Sequence, residues 1–353
     1  MRVSFASSGT IAGVFPSMPQ DGDRDAWDAD PSRETARSGS RSSSGFYAGA
    51  PQSESGVISG STGPDGEDGD SDDFEIPEVP VRRQLSVAIA GFAALLGVGL
   101  ILGAQTSGPD ARTPYAIVIF GVQILFVLAW TMAMRPPAPG LVAGLAVVAG
   151  VLADYLAVTT DPPRLLPMIV LVLVATGLAV GAQFAMRTNR LRVRDALATT
   201  VLIISGVVAF AALIALTRKP VGTQAVLVCL SATALALTIA RLTDAVFPRP
   251  RIAPQVARGA TGVILGAMLG TLGAAVLGSV LVLPFTPAKG AVLGLVAAGI
   301  AVLVDLAVNF SEAGRNMAGA APTFWLARHM QGPLGAFALV APVAYALTVF
   351  FLS

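Results

Sequence analysis

From residue 85 onward, the chain consists almost entirely of apolar runs long enough to cross a lipid bilayer. A helix needs about 20 apolar residues to do so, because it rises about 1.5 Å per residue through a hydrocarbon layer about 30 Å thick. Nine stretches qualify: roughly 85–104, 114–134, 138–158, 165–186, 195–217, 222–243, 259–283, 288–310 and 333–352. Polar or proline-bearing breaks such as SGPDART, MRPPAPG and TDPPR separate them. Such segments must exclude charge, and residues 84–353 carry only 7 acids and 16 bases. The whole chain is 54% hydrophobic and 13% charged, with mean hydropathy +0.71. That is about half the charged content of an average soluble protein. The expected fold is all-α: a polytopic membrane protein with about nine transmembrane helices, occupying residues 81–353. No internal repeat is evident, which withholds support from an inverted-repeat transporter.

Residues 1–83 are of a different kind, with 15 acids against 7 bases and runs such as SGSRSSSG and DGEDGDSDD. A segment so poor in apolar surface cannot offset its ordering entropy. Residues 1–80 are therefore expected to form a disordered acidic tail. The apolar stretch near the start is interrupted by Ser, Gly, Thr and Pro16, which argues against a signal peptide. The excess of Arg over Lys, with abundant Ala, Gly and Val, points to a GC-rich bacterial genome, and so to a bacterial inner membrane.

Basic residues set the expected orientation, since they concentrate in cytoplasmic loops. With the N-terminus inside, the inner segments hold 13 arginines and the outer loops five cations. An odd helix count then puts the C-terminus outside. Trp130, Tyr115 and Tyr155 fall near helix ends, where aromatic anchors are expected. In the seventh segment Gly262, Gly266 and Gly270 form one small-residue stripe, the pattern of close helix packing.

The rare residues exclude several chemistries. One cysteine, Cys229, and one histidine, His329, allow no intramolecular disulfide, no cysteine zinc site and no paired-histidine metal site. The acids of the helical domain are Asp110, Asp154, Asp161, Asp195, Asp244, Asp305 and Glu312. Asp110 and Asp161 fall in outer loops and are expected in water, and Asp154 is expected to snorkel from the outer end of its helix. Asp305 stands apart, in AVLVDLAVNF, because ionisable residues at such depth are costly and often functional. It shares a helix face with Asn309 and Glu312, and Glu312 has Arg315 three residues on, the spacing of a local ion pair. Two basic clusters, Arg187, Arg190, Arg192 and Arg194, and Arg249, Arg251 and Arg258, are the candidate binding sites for lipid headgroups or phosphate. No aromatic platform interleaves them, so nucleic acid is not an expected partner.

The order of these features resembles the bacterial phosphatidate cytidylyltransferases, the CDP-diacylglycerol synthases. Supporting positions are the basic opening of the first helix (VRRQLSVAIAGFAALLGVGLILG), the Arg194–Asp195 pair in LRVRDALATTVL, the loop IAPQVARGA, and Val304-Asp305-Leu306 leading to a final helix APVAYALTVFF. The resemblance implies a membrane enzyme that joins CTP to phosphatidate with bound Mg²⁺. This chain departs from the family where chemistry is done. Gln255 and Val256 stand at the loop lysines, Gly259 at its glutamate, and Leu237 near an aspartate of the sixth helix. Ala327 stands at the family histidine, and Gly332, Pro333 and Gly335 at its last Asp-Arg-x-Asp positions. Asp305 alone remains of the metal carboxylates, a vestigial ligand, and Mg²⁺ is expected only if the family site is retained.

The expectation is thus a family architecture without its catalytic set. Such a protein would have no catalytic residues and would bind anionic phospholipid or partner another membrane protein. One competing reading is an active transferase rearranged around Asp305, His329 and the arginines. Another is a permease, which would need polar residues near the midplane of several helices, and these helices offer almost none.

Overall fold

The computed structural model describes residues 81–352, apart from 108–111, 137, 186–192 and 320–322, and gives only the backbone of 193–196. The expected tail, 1–80, lies outside the described residues, as do Arg187, Arg190 and Arg192 and the side chain of Arg194.

The described residues form nine long helices and no strand. They are α1 (Arg83–Thr106), α2 (Arg112–Met134), α3 (Pro139–Thr159), α4 (Leu166–Ala185) and α5 (Val193–Thr217). After these come α6 (Gly222–Val246), α7 (Ala260–Val280), α8 (Pro287–Met317) and α9 (Trp325–Leu347), the last extended by a π turn, Thr348–Leu352. All nine are long and apolar enough to cross a membrane. The chain is an integral, multi-pass helical membrane protein.

Two helix ends differ from expectation. The eighth apolar stretch ends near 310, but α8 continues to Met317, and α9 begins at Trp325 rather than 333. Most of residues 311–332 is therefore helix rather than loop. Polar residues stabilise these extensions: Arg328 Nη2 reaches Asn316 Oδ1 at 3.2 Å, and Arg315 Nη1 donates to the Ala133 carbonyl at 2.5 Å. Pro333 and Pro342 sit inside α9, where neighbouring helices hold a proline-containing segment that would be broken in water.

The helices pack as two groups joined by α9. In one, α6 packs on α1, α7 and α8; in the other, α5 packs on α2, α3 and α4. α9 touches α8 and α6 of the first and α5 and α2 of the second. α5 and α6 are buried on nearly every side, with Phe210 through Leu216 almost inaccessible. The glycine stripe of α7 lies directly on α6. A Cβ at Gly266 or Gly270 would come within 2.5 or 2.7 Å of the carbonyl oxygens of Ala236 or Ala232. Hydrogen at these positions lets the two backbones touch, which is how packing replaces the missing hydrophobic drive between helices in lipid.

At the end of the bundle holding the start of α1, the connection between α6 and α7 is folded rather than loose. Ile252 N–H donates to the Arg258 carbonyl (3.2 Å) and Ala260 N–H to that of Pro250 (2.9 Å), while Val256 is buried. This turn carries Arg258 back into the helices.

Candidate functional site

α6 ends in the sequence ARLTDAV, which places Arg241 and Asp244 three residues apart on one face. α8 brings Asp305 to the same level, and the folded turn inserts Arg258 between them. The four side chains form one line of alternating charge. Arg241 Nη2 donates to Asp305 Oδ1 at 2.5 Å, Arg258 Nη2 lies 2.7 Å from Asp305 Oδ2, and Arg258 Nη1 donates to Asp244 Oδ2. The Arg258–Asp305 contact is one of charge rather than an aligned hydrogen bond, and Arg258 Nε is buried without a partner. Asp244 Oδ1 also accepts the Gly259 N–H at 3.0 Å.

All four residues are buried, Arg258 and Asp305 completely. Burial and the nearby Arg241 push the Arg258 guanidinium below its ordinary pKa, while Asp305 and Asp244 oppose that shift. Charges at such depth are costly unless paired, and this set is neutral as a whole. Two glycines make room for it. A Cβ at Gly262 would lie 2.3 Å from Asp244 Oδ1, and one at Gly332 would lie 2.1 Å from Asp305 Oδ1. A Cβ at Gly335 would come within 3.1–3.2 Å of Trp130 and Val304. Gly332 and Gly335 are close-packing positions in this chain.

The structure unites Asp305 with Arg258 but not with the other sequence candidates. Asn309 turns back to donate to the Asp305 carbonyl oxygen. Glu312 pairs with Arg328 of α9 rather than with Arg315 of its own helix. His329 packs edge-on against Trp325, ring centres 5.9 Å apart. Arg249 is exposed and Arg251 half-buried on the turn, whereas Arg258, from the same basic cluster, is withdrawn from the surface.

A Mg²⁺ site does not fit this arrangement. Mg²⁺ takes octahedral oxygen ligands and keeps several waters. Both oxygens of Asp305 already face guanidinium groups, and each of the two nearest cations would repel the metal. Among the described residues, no three His, Cys, Asp or Glu side chains converge as a metal site would require.

A second polar contact corrects the sequence reading of Asp154. Asp154 does not snorkel but is buried, and its Oδ1 accepts from Gln123 Nε2 at 2.8 Å. The same Gln123 nitrogen lies 3.2 Å from the Val207 carbonyl, tying α2, α3 and α5 together. Gln123 lies near the middle of α2, so the helices are less free of interior polar groups than their composition suggests. Asp161 is exposed as expected, but it pairs with Arg218, whose Nη1 also donates to the Ala157 carbonyl of α3 at 2.6 Å and to the Thr160 carbonyl just after it at 2.7 Å. Tyr155 is exposed near its helix end, whereas Tyr115 and Trp130 are buried among helices. Trp325 is exposed.

Neither a family model, nor a curated protein, nor a solved structure matches the chain.

Proposed function

We propose that the protein is a non-catalytic member of the phosphatidate cytidylyltransferase-like architecture that binds anionic phospholipid in a bacterial inner membrane, with its N-terminus cytoplasmic. The observation that carries this reading is the closed charge line of Arg241, Asp305, Arg258 and Asp244. Joining CTP to phosphatidate brings two polyanions together, and free metal-bound carboxylates and cationic clamps must screen them. Here Asp305, the one carboxylate left that would hold metal, is occupied by two arginines of the same chain. Cations nearer the surface, Arg249 and Arg251 among them, suit an anionic leaflet, to which each contributes on the order of 1 kcal/mol.

The test uses purified protein in vesicles with CTP, phosphatidate and Mg²⁺. Pyrophosphate release should stay at background, while native mass spectrometry shows anionic phospholipid retained in preference to phosphatidylcholine. Pyrophosphate release that disappears in Asp305→Asn would replace this reading with that of a rearranged enzyme. Equal retention of the two lipid classes would remove its lipid-binding half.

A further inference from the structure

We propose that one seam of the bundle, between α2, α8 and α9, holds a single anionic phospholipid, its phosphate in a three-arginine pocket and one acyl chain in the apolar cavity beyond it. This rests on the lipid-binding reading above and assigns it a site that the sequence candidates did not include.

The pocket lies where α2 and α8 end and α9 begins. It has a volume of about 200 Å³, and Arg135, Arg315, Arg328, Asn316 and Thr323 line it. Three arginines line it; Arg315 also donates to the Ala133 carbonyl and Arg328 to Asn316, and Glu312, paired with Arg328, is the acid that offsets them. Arg315 Nε and Arg328 Nε are buried without hydrogen-bond partners. The Arg135 side chain is exposed and has no hydrogen bond or ion pair among the described residues. Its backbone is left-handed (φ 46°) just after α2, a position where glycine is the usual residue. An arginine with left-handed backbone and no side-chain partner among the described residues, beside two others, fits an anion bound through several charge-assisted hydrogen bonds.

The apolar cavity lies beside Trp130 and is lined by α4 and α5 as well as by α2, α8 and α9. Its volume is about 340 Å³, with walls that include Phe126, Met168, Gly206, Val304 and Pro342. The Ser205 hydroxyl also lines it but donates to the Val201 carbonyl of its own helix. Ile169, Leu202 and Leu339 at its edge are about half exposed, so the cavity opens sideways onto the surface that faces hydrocarbon. Such a space suits a methylene chain and offers nothing to a sugar or a base.

The two spaces are in register on all three helices. On α2 the cavity residues Phe126 and Trp130 continue at four-residue spacing to Met134 of the pocket. On α9 Arg328 and Gly335 are seven residues apart, and on α8 Val304 and Arg315 are eleven, both close to whole numbers of turns. Along α2, Trp130 and Met134 are separated by a rise of about 6 Å, and Arg135 follows directly. The charged pocket therefore caps the apolar cavity, the polarity of a phospholipid with its headgroup at the bundle end.

The chain has three tryptophans. Trp27→Phe with Trp325→Phe leaves Trp130 as the reporter in full-length protein. In phosphatidylcholine vesicles doped with brominated-chain phosphatidylglycerol, Trp130 should be quenched several-fold more than with the same fraction of brominated phosphatidylcholine. Arg135→Gly should abolish the preference without lowering the unfolding temperature, because glycine relieves the backbone there. Ser205→Phe, which fills the cavity, should weaken quenching by the anionic lipid. Equal quenching by both lipids in the parent would overturn the proposal. So would a preference that survives Arg135→Gly; if native mass spectrometry still shows anionic lipid retained, the lipid-binding reading stands and only this site falls. Inorganic phosphate retained in an Arg135-dependent way, without any lipid preference, would assign the pocket to a free anion instead.

Discussion

Arg258 touches two aspartates from different elements, and neither contact is visible from its place in the sequence. Asp244 is 14 residues away and Asp305 is 47, and Asp305's other partner, Arg241, lies 64 residues from it. Depth in an apolar helix marks Asp305 in the sequence, but the residues that share its helix face are not its partners: Glu312 pairs with Arg328. The available signal was balance: two acids and two bases near one end of the apolar segments, each too costly to leave alone. Breaking a buried pair by removing one partner costs about 3–5 kcal/mol. Arg258→Met should therefore lower stability by that order, and Asp305→Leu likewise, measured by unfolding in detergent. Because each single variant leaves the buried set with an unbalanced charge and the double variant makes it neutral again, the double variant should cost clearly less than the sum of the two. Additive losses would show that the residues are not coupled. Asp154 offers a contrast within the same membrane. Gln123→Leu removes the partner that bonds its carboxylate and should cost about 1–3 kcal/mol. Asp154→Asn keeps an acceptor for Gln123 without the charge, and its unfolding temperature should equal or exceed the parent's.

The helices themselves were legible, since a run of apolar residues of spanning length has few other ways to satisfy its backbone. Their ends were less so. α8 and α9 extend past their apolar stretches through Glu312, Arg315 and Arg328, whose bonds are made only once the neighbouring helix is present. The glycine stripe of α7 announced a close contact but not its partner, which is the carbonyl face of α6. At Gly266 the facing atoms are the Ala236 carbonyl and the Ala240 Cβ, neither a flexible side-chain end. Overpacking of this kind costs typically about 1–3 kcal/mol. Gly266→Val should separate α7 from α6 and destabilise by that amount, while Gly91→Ala, which meets nothing within 4 Å, should be neutral. Equal tolerance of the two would contradict the packing described.

At the scale of the whole molecule, the buried core among the described residues draws on the helices from α1 to α9. Deleting residues 2–80 should leave the unfolding transition of the helical domain in place, and a truncated protein that fails to accumulate would give the tail a structural role. The arginine distribution predicts that a reporter fused after Ser353 appears outside the cytoplasm and one before Met1 inside; finding both on one side would break the alternation of nine spans. What composition could not supply is the relation between these charges, because it depends on which helices meet. Asp305 reads as a metal ligand along the sequence and as one member of a neutral, closed set in the folded chain. Mn²⁺ prefers the same oxygen ligands as Mg²⁺, so its binding to the purified protein, followed by electron paramagnetic resonance, tests that claim most directly. The spectrum of free Mn²⁺ should be the same with the parent protein as with Asp305→Asn, whereas a bound fraction present in the parent and lost in the variant would contradict it.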